Sequence, residues 1–342
     1  MNIRTYQNTD RQPWDDYVMS HPNGTVFHLT QWKQVVEEAF GHPSFYLLAE
    51  NGQGGIVGIL PMFQIKSRLF GNFMVSVPFA ELGGPLADSP FVLDRLLDQA
   101  QSVARDQGVD YLEMKNADSA GDYPTKDLYF NFSKELDPDP EVNMAAIPRK
   151  QRAMVRKGIK SGLTHELGHH LLPEFYELMA RSYHSLGTPI FPQHFFGKFL
   201  EVFGDKSDLL VVRSSEKEPV AGVLTFYYKD RVMPFYAGSR IEARALAPND
   251  YMYWQLMKDG CERGYKVFDY GRSKADTGSF SFKKHWGFEP RQLAYQYVLI
   301  KAQEMPNLSP TNPKYHKKIE LWRKMPYPMT KILGPPLAKY LA

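Results

Sequence analysis

The sequence predicts an α/β protein, in the α+β sense of mixed central sheets, built from two copies of one unit. Short β-rich apolar runs alternate with longer stripes of helical period along the chain. The same order of elements occurs twice. The 342 residues are long for one domain and suit two, and 43% hydrophobic with 14% aromatic residues is ample for two cores.

The first copy opens with a helical stripe at residues 25–40, where Thr30 is the expected N-cap and Gly41 ends the helix. Two strands follow, joined by the turn signal Asn51–Gly52. A helix stopped by Gly108 and a closing strand complete the unit. These later elements are predicted at residues 44–50, 55–64, 89–107 and 109–114.

The second half repeats these landmarks. Residues 220–226 match 56–63, residues 234–239 match 78–84, and a helix over 249–263 precedes a strand at 265–270 that matches 109–114. Chance is the alternative, since any α/β chain contains strand–helix–glycine strings. Agreement in order favours duplication. A Pro- and Asp-rich stretch at 137–140 marks the join. We therefore predict an N-terminal unit over 1–140, a C-terminal unit over 141–302 and a tail over 303–342.

A basic helix is expected at the start of the second copy. Its cations are Arg149, Arg152, Arg156 and Lys160 at helical spacing, with Lys150 and Lys157 alongside, and no acid follows before Glu166. A solvated face is the alternative, but such faces usually carry acids at i±4. Uncompensated cations predict a polyanion nearby, either a nucleic-acid backbone or a diphosphate.

The stretch 266–290 is the other candidate site. A short buried strand is broken by Gly271, and Arg272 follows where the chain leaves the sheet. Phe282 and Trp286 lie four residues apart and would share one helical face. If both rings pack on the core, Lys283 leaves from the flank of the same helical turn and is held in the largest cleft. Lys284 should be more exposed. The alternative is a surface loop of solvated lysines.

Several functional classes are disfavoured. Cys261 is the sole cysteine, so neither an internal disulfide nor a thiolate metal cluster is expected. His165, His169 and His170 lack a carboxylate at ligand spacing, and no metal site is expected there. The N-terminus lacks a signal-peptide core, and no run approaches the ~18 apolar residues of a membrane span. We expect a soluble cytoplasmic protein, with the inner face of the membrane as one location.

The tail is rich in proline, which should exclude regular structure outside residues 312–325. There, Tyr315, Ile319 and Trp322 form an apolar stripe. The tail is also basic, with two acids (Glu304, Glu320) against Lys301, Lys314, Lys317, Lys318, Arg323, Lys324, Lys331 and Lys339. A membrane-surface helix is one interpretation. The stripe is short, so packing back on the protein is favoured.

Five motifs together resemble a known family: F-D-Y-G-R-S, F-K-K-H-W-G-F-E-P, R-K-x-R-x-x-V-R-K-G-I-K, L-G-T-P and Y-A-G-S. The chain resembles FemAB-related proteins associated with exosortase (PEP-CTERM) exopolysaccharide loci, from T-V-F-H-x-x-x-W to the final L-G-P-P. It is more remotely similar to FemAB transferases, which build peptidoglycan cross-bridges from aminoacyl-tRNA. The resemblance implies tandem acetyltransferase-like (GNAT) units and acyl transfer to an amine, with the second unit the more intact.

The resemblance also implies site residues. Residues 234–239 would be the acyl-donor strand, and the F-K-x-x-W segment would supply Lys283 near the reacting groups. Backbone N–H groups from Tyr236 to Ser239 would bind the oxyanion or the donor chain. Asp269 is a candidate base, although a structural carboxylate holding Arg272 or Lys283 is favoured, and proton loss needing no protein base is an alternative. Tyr236 and Tyr270 are further proton-transfer candidates. Anion or substrate contacts are expected from Arg149, Arg152, Arg156, Lys157, Arg272, Ser239 and Tyr270.

The acyl donor stays open between aminoacyl-tRNA and acyl-CoA, with no firmly bound cofactor expected. Residues 239–251 contain no glycine, whereas GNAT enzymes that use acetyl-CoA carry a glycine-rich pyrophosphate loop in this interval. This counts against coenzyme A and agrees with a charged tRNA. The leading function is transfer of an aminoacyl or acyl group onto an amine-bearing glycan of the cell envelope or an exopolysaccharide precursor. The alternatives are a coenzyme-A-dependent N-acyltransferase and a non-catalytic assembly protein of polysaccharide export.

Overall fold

The computed structural model describes residues 1–306 and 313–341, which divide into two compact units. The first contains residues 1–129, 292–306 and 339–341, and the second contains residues 130–291 and 313–338. This division differs from the predicted one. The chain leaves the first unit after residue 129, before the Pro- and Asp-rich stretch at 137–140, and residues 292–306 return to it. The described part of the tail is no separate segment, because most of it belongs to the second unit.

The first unit contains three helices and nine strands among the described residues. In chain order they are β1 (Asn2–Thr5), α1 (Arg11–Ser20), α2 (Thr30–Phe40), β2 (Leu47–Glu50), β3 (Ile56–Leu60), β4 (Phe63–Ser67), β5 (Gly71–Val75), β6 (Leu86–Ala87), α3 (Pro90–Asp106), β7 (Tyr111–Asn116) and β8 (Thr125–Lys126), with β16 (Ala294–Leu299) from the later return. One sheet has the order β1-β2-β3-β6 and the other β4-β5-β7-β16-β8.

The second unit is built around one seven-stranded sheet of order β10-β11-β12-β13-β14-β9-β15. Its elements are β9 (Tyr129–Glu135), α4 (Pro140–Ala146), α5 (Arg149–Lys160), β10 (Thr164–Leu167), α6 (Leu172–Leu186), α7 (Gln193–Phe203), β11 (Ser207–Arg213), β12 (Pro219–Tyr228), β13 (Arg231–Ser239), α8 (Pro248–Glu262), β14 (Val267–Lys274), α9 (Gly278–His285), β15 (Pro290–Gln292), α10 (Pro313–Lys324) and α11 (Tyr327–Ala338).

Strand order confirms the duplication. In the first unit β5 pairs in parallel with β7, which follows α3 in the chain. In the second unit β13 pairs in parallel with β14, which follows α8. β7 and β14 therefore occupy equivalent positions in the two units. β3 and β12, which were also predicted to be equivalent, do not, because β3 lies between β2 and β6 in the four-stranded sheet, whereas β12 lies between β11 and β13. A further predicted match was also wrong. Residues 78–84 form a loop, and β5 is the strand that corresponds to β13.

Local signals set the helix ends. Ser89 caps α3, with its side chain accepting a hydrogen bond from the Val92 N–H. Gly41 and Gly187 adopt the left-handed conformation that ends α2 and α6, at φ of +68° and +74°. These are ends that a sequence pattern locates without knowledge of the tertiary structure.

The described part of the tail forms two helices that pack on α6. The helix expected at 312–325 is present as α10, with Pro313 in its first turn. The prediction that prolines exclude further regular structure was wrong, because α11 follows and contains Pro335 and Pro336. Both prolines lie near its C-terminal end, and each lacks the N–H that would donate to the carbonyl four residues earlier, at Lys331 and Ile332. Among the described residues, no helix has the length and hydropathy needed to cross a membrane.

Candidate active site

A separation of two neighbouring strands creates the opening in the second unit. β13 and β14 run parallel but pair only at Arg231–Val267 and Val232–Phe268. On its other edge β13 stays paired with β12 as far as Ser239, with an irregular register between Leu224 and Thr225. The later residues of β13 therefore carry backbone N–H groups that β14 does not engage. This is the splayed strand expected at residues 236–239.

Tyr236 faces the helices that cover one side of this sheet. Its ring is buried, with 8% exposed, and packs edge-on against Phe196 of α7 at 5.3 Å between centroids. Gly238 lies directly beneath α6, since an added Cβ would lie 2.9 Å from the Leu178 oxygen. Tyr236 is thus part of an aromatic cluster, with its backbone on the splayed strand. Ser239, at the end of β13, is half-buried.

Lys283 is buried and fixed to the other splayed strand. Thr277 caps α9 by accepting from the Phe280 N–H, and the helix places Lys283 over β14. The Lys283 ammonium donates to the carbonyl oxygens of Gly271 and Arg272 at 2.9 and 3.0 Å, and only 7% of the residue is exposed. The prediction that Lys283 points into an open cleft was therefore wrong. The expected contrast with the exposed Lys284 is present.

Asp269 has a different environment from the one expected. Its carboxylate accepts hydrogen bonds from the Asn131 amide at 3.2 Å and from the Gly271 N–H at 3.0 Å. Arg231 lies 3.5 Å from its second oxygen. These contacts join β9, β13 and β14 at the point where the splay begins. They support a structural role, but the partner is Arg231, whereas Arg272 or Lys283 was expected.

Tyr270 points to the opposite face of β14, into the apolar core. Its ring contacts Phe268, Phe288 and Trp286, and its hydroxyl is buried with no hydrogen-bond partner in the described structure. Burial raises the pKa of this hydroxyl well above the usual value. The position does not present the hydroxyl to a substrate. Arg272, two residues later, is half-exposed.

Asp250 is a buried carboxyl that sequence reasoning missed. It lies in the first turn of α8 and accepts from the Trp286 indole N–H at 3.1 Å. The Gln151 amide of α5 donates to the same oxygen at 3.4 Å. Burial raises the pKa of Asp250 above the usual 3.8, although the two hydrogen bonds act in the opposite direction. This carboxyl links the basic helix, α8 and the segment carrying Lys283.

Because its pKa is raised on folding, ionised Asp250 destabilises the native state relative to protonated Asp250. We expect the stability advantage of the wild type over Asp250→Asn to shrink as the pH rises above about 3.8 through the folded-state pKa. Urea denaturation of both proteins at several pH values measures this. A difference in stability between the two proteins that stays constant with pH would show that folding does not raise the pKa of Asp250.

The basic helix α5 exposes five of its six cations. Gln151, Val155 and Gly158 form its buried face, and Gly158 lets it lie against the start of α8, where an added Cβ would be 2.8 Å from the Tyr251 Cβ. Its outer face carries the exposed cations Arg149, Lys150, Arg156, Lys157 and Lys160. Arg152 is half-buried and donates to the Ala145 oxygen at 2.9 Å. Within the described structure none of these six side chains forms an ion pair.

The first unit holds a separate cavity of about 370 Å³ that the sequence did not predict. Lys115 and Asn116 at the end of β7 line it, and both are buried. The Lys115 ammonium donates to the Ala80 oxygen at 3.2 Å, and the Asn116 amide donates to Gln296 at 2.8 Å. Metal-type clusters of three or more His, Cys, Asp or Glu do not occur among the described residues.

Comparisons with known proteins match part of the second unit to one family model. Residues 149–284 match the family model described as the acetyltransferase (GNAT) domain, so the second unit carries an acyltransferase-type domain. A lipid II:glycine glycyltransferase of Staphylococcus epidermidis is 27% identical over 131 residues, which cover 35% of this chain and 32% of that protein. The chain thus spans about a third of the length of the curated relatives it matches.

Two solved structures match most of the chain. The crystal structure of FemX matches with a TM-score of 0.64 at 18% identity, covering 93% of this chain and 99% of its own. A tandem GNAT protein from the clavulanic acid biosynthesis pathway matches with a TM-score of 0.54 at 11% identity, covering 89% and 99%. At these identities the likeness shows the fold alone, which is the predicted pair of GNAT-like units.

Proposed function

We propose that this chain, whose residues 149–284 form a GNAT acyltransferase-type domain, transfers an aminoacyl group from aminoacyl-tRNA to an amine of a cell-envelope precursor. The observation that carries the proposal is α5. Its outer face presents exposed cations without carboxylate partners, and its inner face packs against the start of α8. In the chain, α8 directly follows the connection from the splayed strand β13. A polyanionic donor would therefore lie close to the opening between β13 and β14.

The connection itself supports a donor other than coenzyme A. Residues 240–247 contain no glycine, and Glu242–Leu246 form a short 3₁₀ turn. Arg240, the first cation of this connection, is paired with Glu218 at 2.8 Å. A pyrophosphate needs closely approaching backbone N–H groups, which glycines provide most readily. The tRNA backbone instead needs spaced cations, and α5 supplies them.

The chemistry required is aminolysis of an ester. The acceptor amine attacks the aminoacyl carbonyl, the C–N bond forms, and the ester C–O bond breaks as the ribose hydroxyl departs with a proton. N–H groups of β13 that β14 leaves unpaired would bind the oxyanion. Lys283 would hold the end of β14 in place through two carbonyls and add a positive charge beside the opening. The amine proton would leave through the substrates, since Asp269 is held by Arg231, Asn131 and Gly271.

One relative supports the proposed acceptor class. The named function of the Staphylococcus epidermidis protein is glycyl transfer to lipid II. We extend this to an amine on a lipid-linked or nucleotide-linked cell-envelope precursor. An amine-bearing glycan of an exosortase-associated exopolysaccharide is the finer form of the proposal, and it rests on the sequence resemblance.

The test is binding and single-turnover transfer with charged tRNA. Wild-type protein should bind aminoacyl-tRNA with a steep salt dependence and release uncharged tRNA when an amine acceptor is added. Arg156→Glu/Lys157→Glu should weaken binding by more than about tenfold and lower the salt slope by about 2. The matched control Lys206→Glu/Lys217→Glu makes the same charge change at exposed sites outside α5 and should bind like the wild type.

Two outcomes would overturn the proposal. Protection against thermal unfolding by coenzyme A, with no effect of tRNA, would instead identify a coenzyme-A-dependent N-acyltransferase. Binding of neither donor, together with retention of a glycan, would identify a non-catalytic assembly protein.

A further inference from the structure

The last two helices expose basic and apolar side chains on their outer faces. We define the C-terminal surface as seven of the exposed residues of α10 and α11, namely Lys317, Lys318, Leu321, Lys324, Met329, Ile332 and Leu333. One exposed acid, Glu320, lies three residues from Lys317 and four from Lys324, so the lysines outnumber it three to one. None of these residues is used by the proposed acyl transfer. Large apolar side chains that are exposed next to one another usually mark an interaction site.

On α10 one apolar side chain is surrounded by lysines. Leu321 is 65% exposed, and Lys317, Lys318 and Lys324 lie three or four residues from it on the same helical face. The helix faces α6 with its other side. There, Ile319 packs against Gly187, and the Arg323 guanidinium donates to the Leu186 oxygen at 3.2 Å. The outer face is therefore fixed in orientation by the inner one.

On α11 the exposed face is an apolar stripe. Met329, Ile332 and Leu333 are 47%, 73% and 42% exposed and recur at i, i+3 and i+4. The opposite face is buried, and Gly334 lies directly against Ile190. Lys331 at its side forms an ion pair with Glu177 of α6 at 2.8 Å. α10 and α11 both pack on α6, and each turns its exposed apolar side chains away from that helix.

We propose that the C-terminal surface binds the headgroup region of an anionic lipid bilayer. The lysines match the charge of the headgroups, and the apolar stripe would enter the acyl boundary, as in helices that lie in the plane of a membrane. A second copy of the chain is a poorer occupant, because isologous pairing would bring the lysines of α10 against one another. The proposal goes beyond the proposed transfer reaction and does not depend on the identity of the acyl donor.

The test is co-sedimentation with two kinds of vesicle, one of phosphatidylcholine alone and one of phosphatidylcholine mixed with phosphatidylglycerol. Wild-type protein should sediment with the mixed vesicles and be released by salt. Ile332→Glu/Leu333→Glu should lower the partition coefficient by at least about tenfold. Lys317→Glu/Lys318→Glu should remove the preference for phosphatidylglycerol and lower partition by a similar factor.

The control Phe91→Glu removes a 65%-exposed aromatic ring from the first unit and should leave vesicle binding unchanged. Gel filtration with light scattering runs beside each assay. The proposal fails if wild-type protein does not sediment with the mixed vesicles, or if both C-terminal variants bind them as the wild type does. It also fails if Ile332→Glu/Leu333→Glu converts a dimer to a monomer without altering sedimentation. Transfer measured with a soluble acceptor should be unaffected by these variants, which separates this proposal from the proposed function.

Discussion

Replacement of Trp286 by alanine should lower the free energy of unfolding by about 3–5 kcal/mol, the usual cost of deleting a fully buried aromatic ring. The indole has no exposed surface, and its ring contacts Tyr270 and Phe282. Its N–H is also a donor to the buried Asp250. The variant would therefore open a cavity and remove a hydrogen bond from a buried carboxyl at once.

Trp286→Phe is the matched variant, because it keeps most of the apolar volume and loses the N–H. Chemical denaturation should give it a loss of about 1–3 kcal/mol, between the wild type and the alanine variant. The double variant Trp286→Phe/Asp250→Asn should lose less free energy of unfolding than the sum of the losses of the two single variants, because both changes alter the same hydrogen bond. An alanine variant as stable as the wild type would mean that this core is not packed as described.

The second large effect is expected at Lys283, where Lys283→Met should lower the transfer rate by more than about a hundredfold. The structure changes the expected stability cost. A lysine in an open cleft, which is where the sequence analysis expected Lys283, could be replaced at little cost in stability, but the ammonium satisfies two carbonyls of β14 and is buried. Leaving these acceptors unpaired should cost about 2–4 kcal/mol. Methionine fills the volume better than alanine and is the preferred test.

Rates are to be measured well below the melting temperature of each variant, so that the unfolded fraction does not contribute. Lys284→Ala is the control, because Lys284 is the exposed neighbour. Its free energy of unfolding should stay within about 0.5 kcal/mol of the wild-type value, and its activity should be unchanged. Lys283→Arg keeps the charge and should retain part of the rate if a positive charge beside the opening is what matters. An inactive Lys284 variant beside an active Lys283 variant would contradict the proposed site.

The sequence by itself determined the features that depend on local pattern. Helical period and glycines located α2, α3, α5 and α8, and the repeated order of elements predicted two similar units. The cap expected for α2 was wrong by one residue, since Leu29 is the N-cap and Thr30 is the first helical residue. The spacing of Phe282 and Trp286 predicted a helical turn that separates Lys283 from Lys284. These features need only neighbours within a few residues of one another, which is the range over which period and turn chemistry act.

The tertiary structure alone decided which distant segments meet. β9 joins the sheet of the second unit, and β16 returns to a sheet of the first. Asp269 meets Arg231 and Asn131, residues 38 and 138 positions away. Lys283 can be buried because its ammonium donates hydrogen bonds to two carbonyl oxygens of β14. A pattern of apolar or charged residues indicates which side chains will be buried or paired. The residues that they contact depend on chain topology, which local periodicity does not encode.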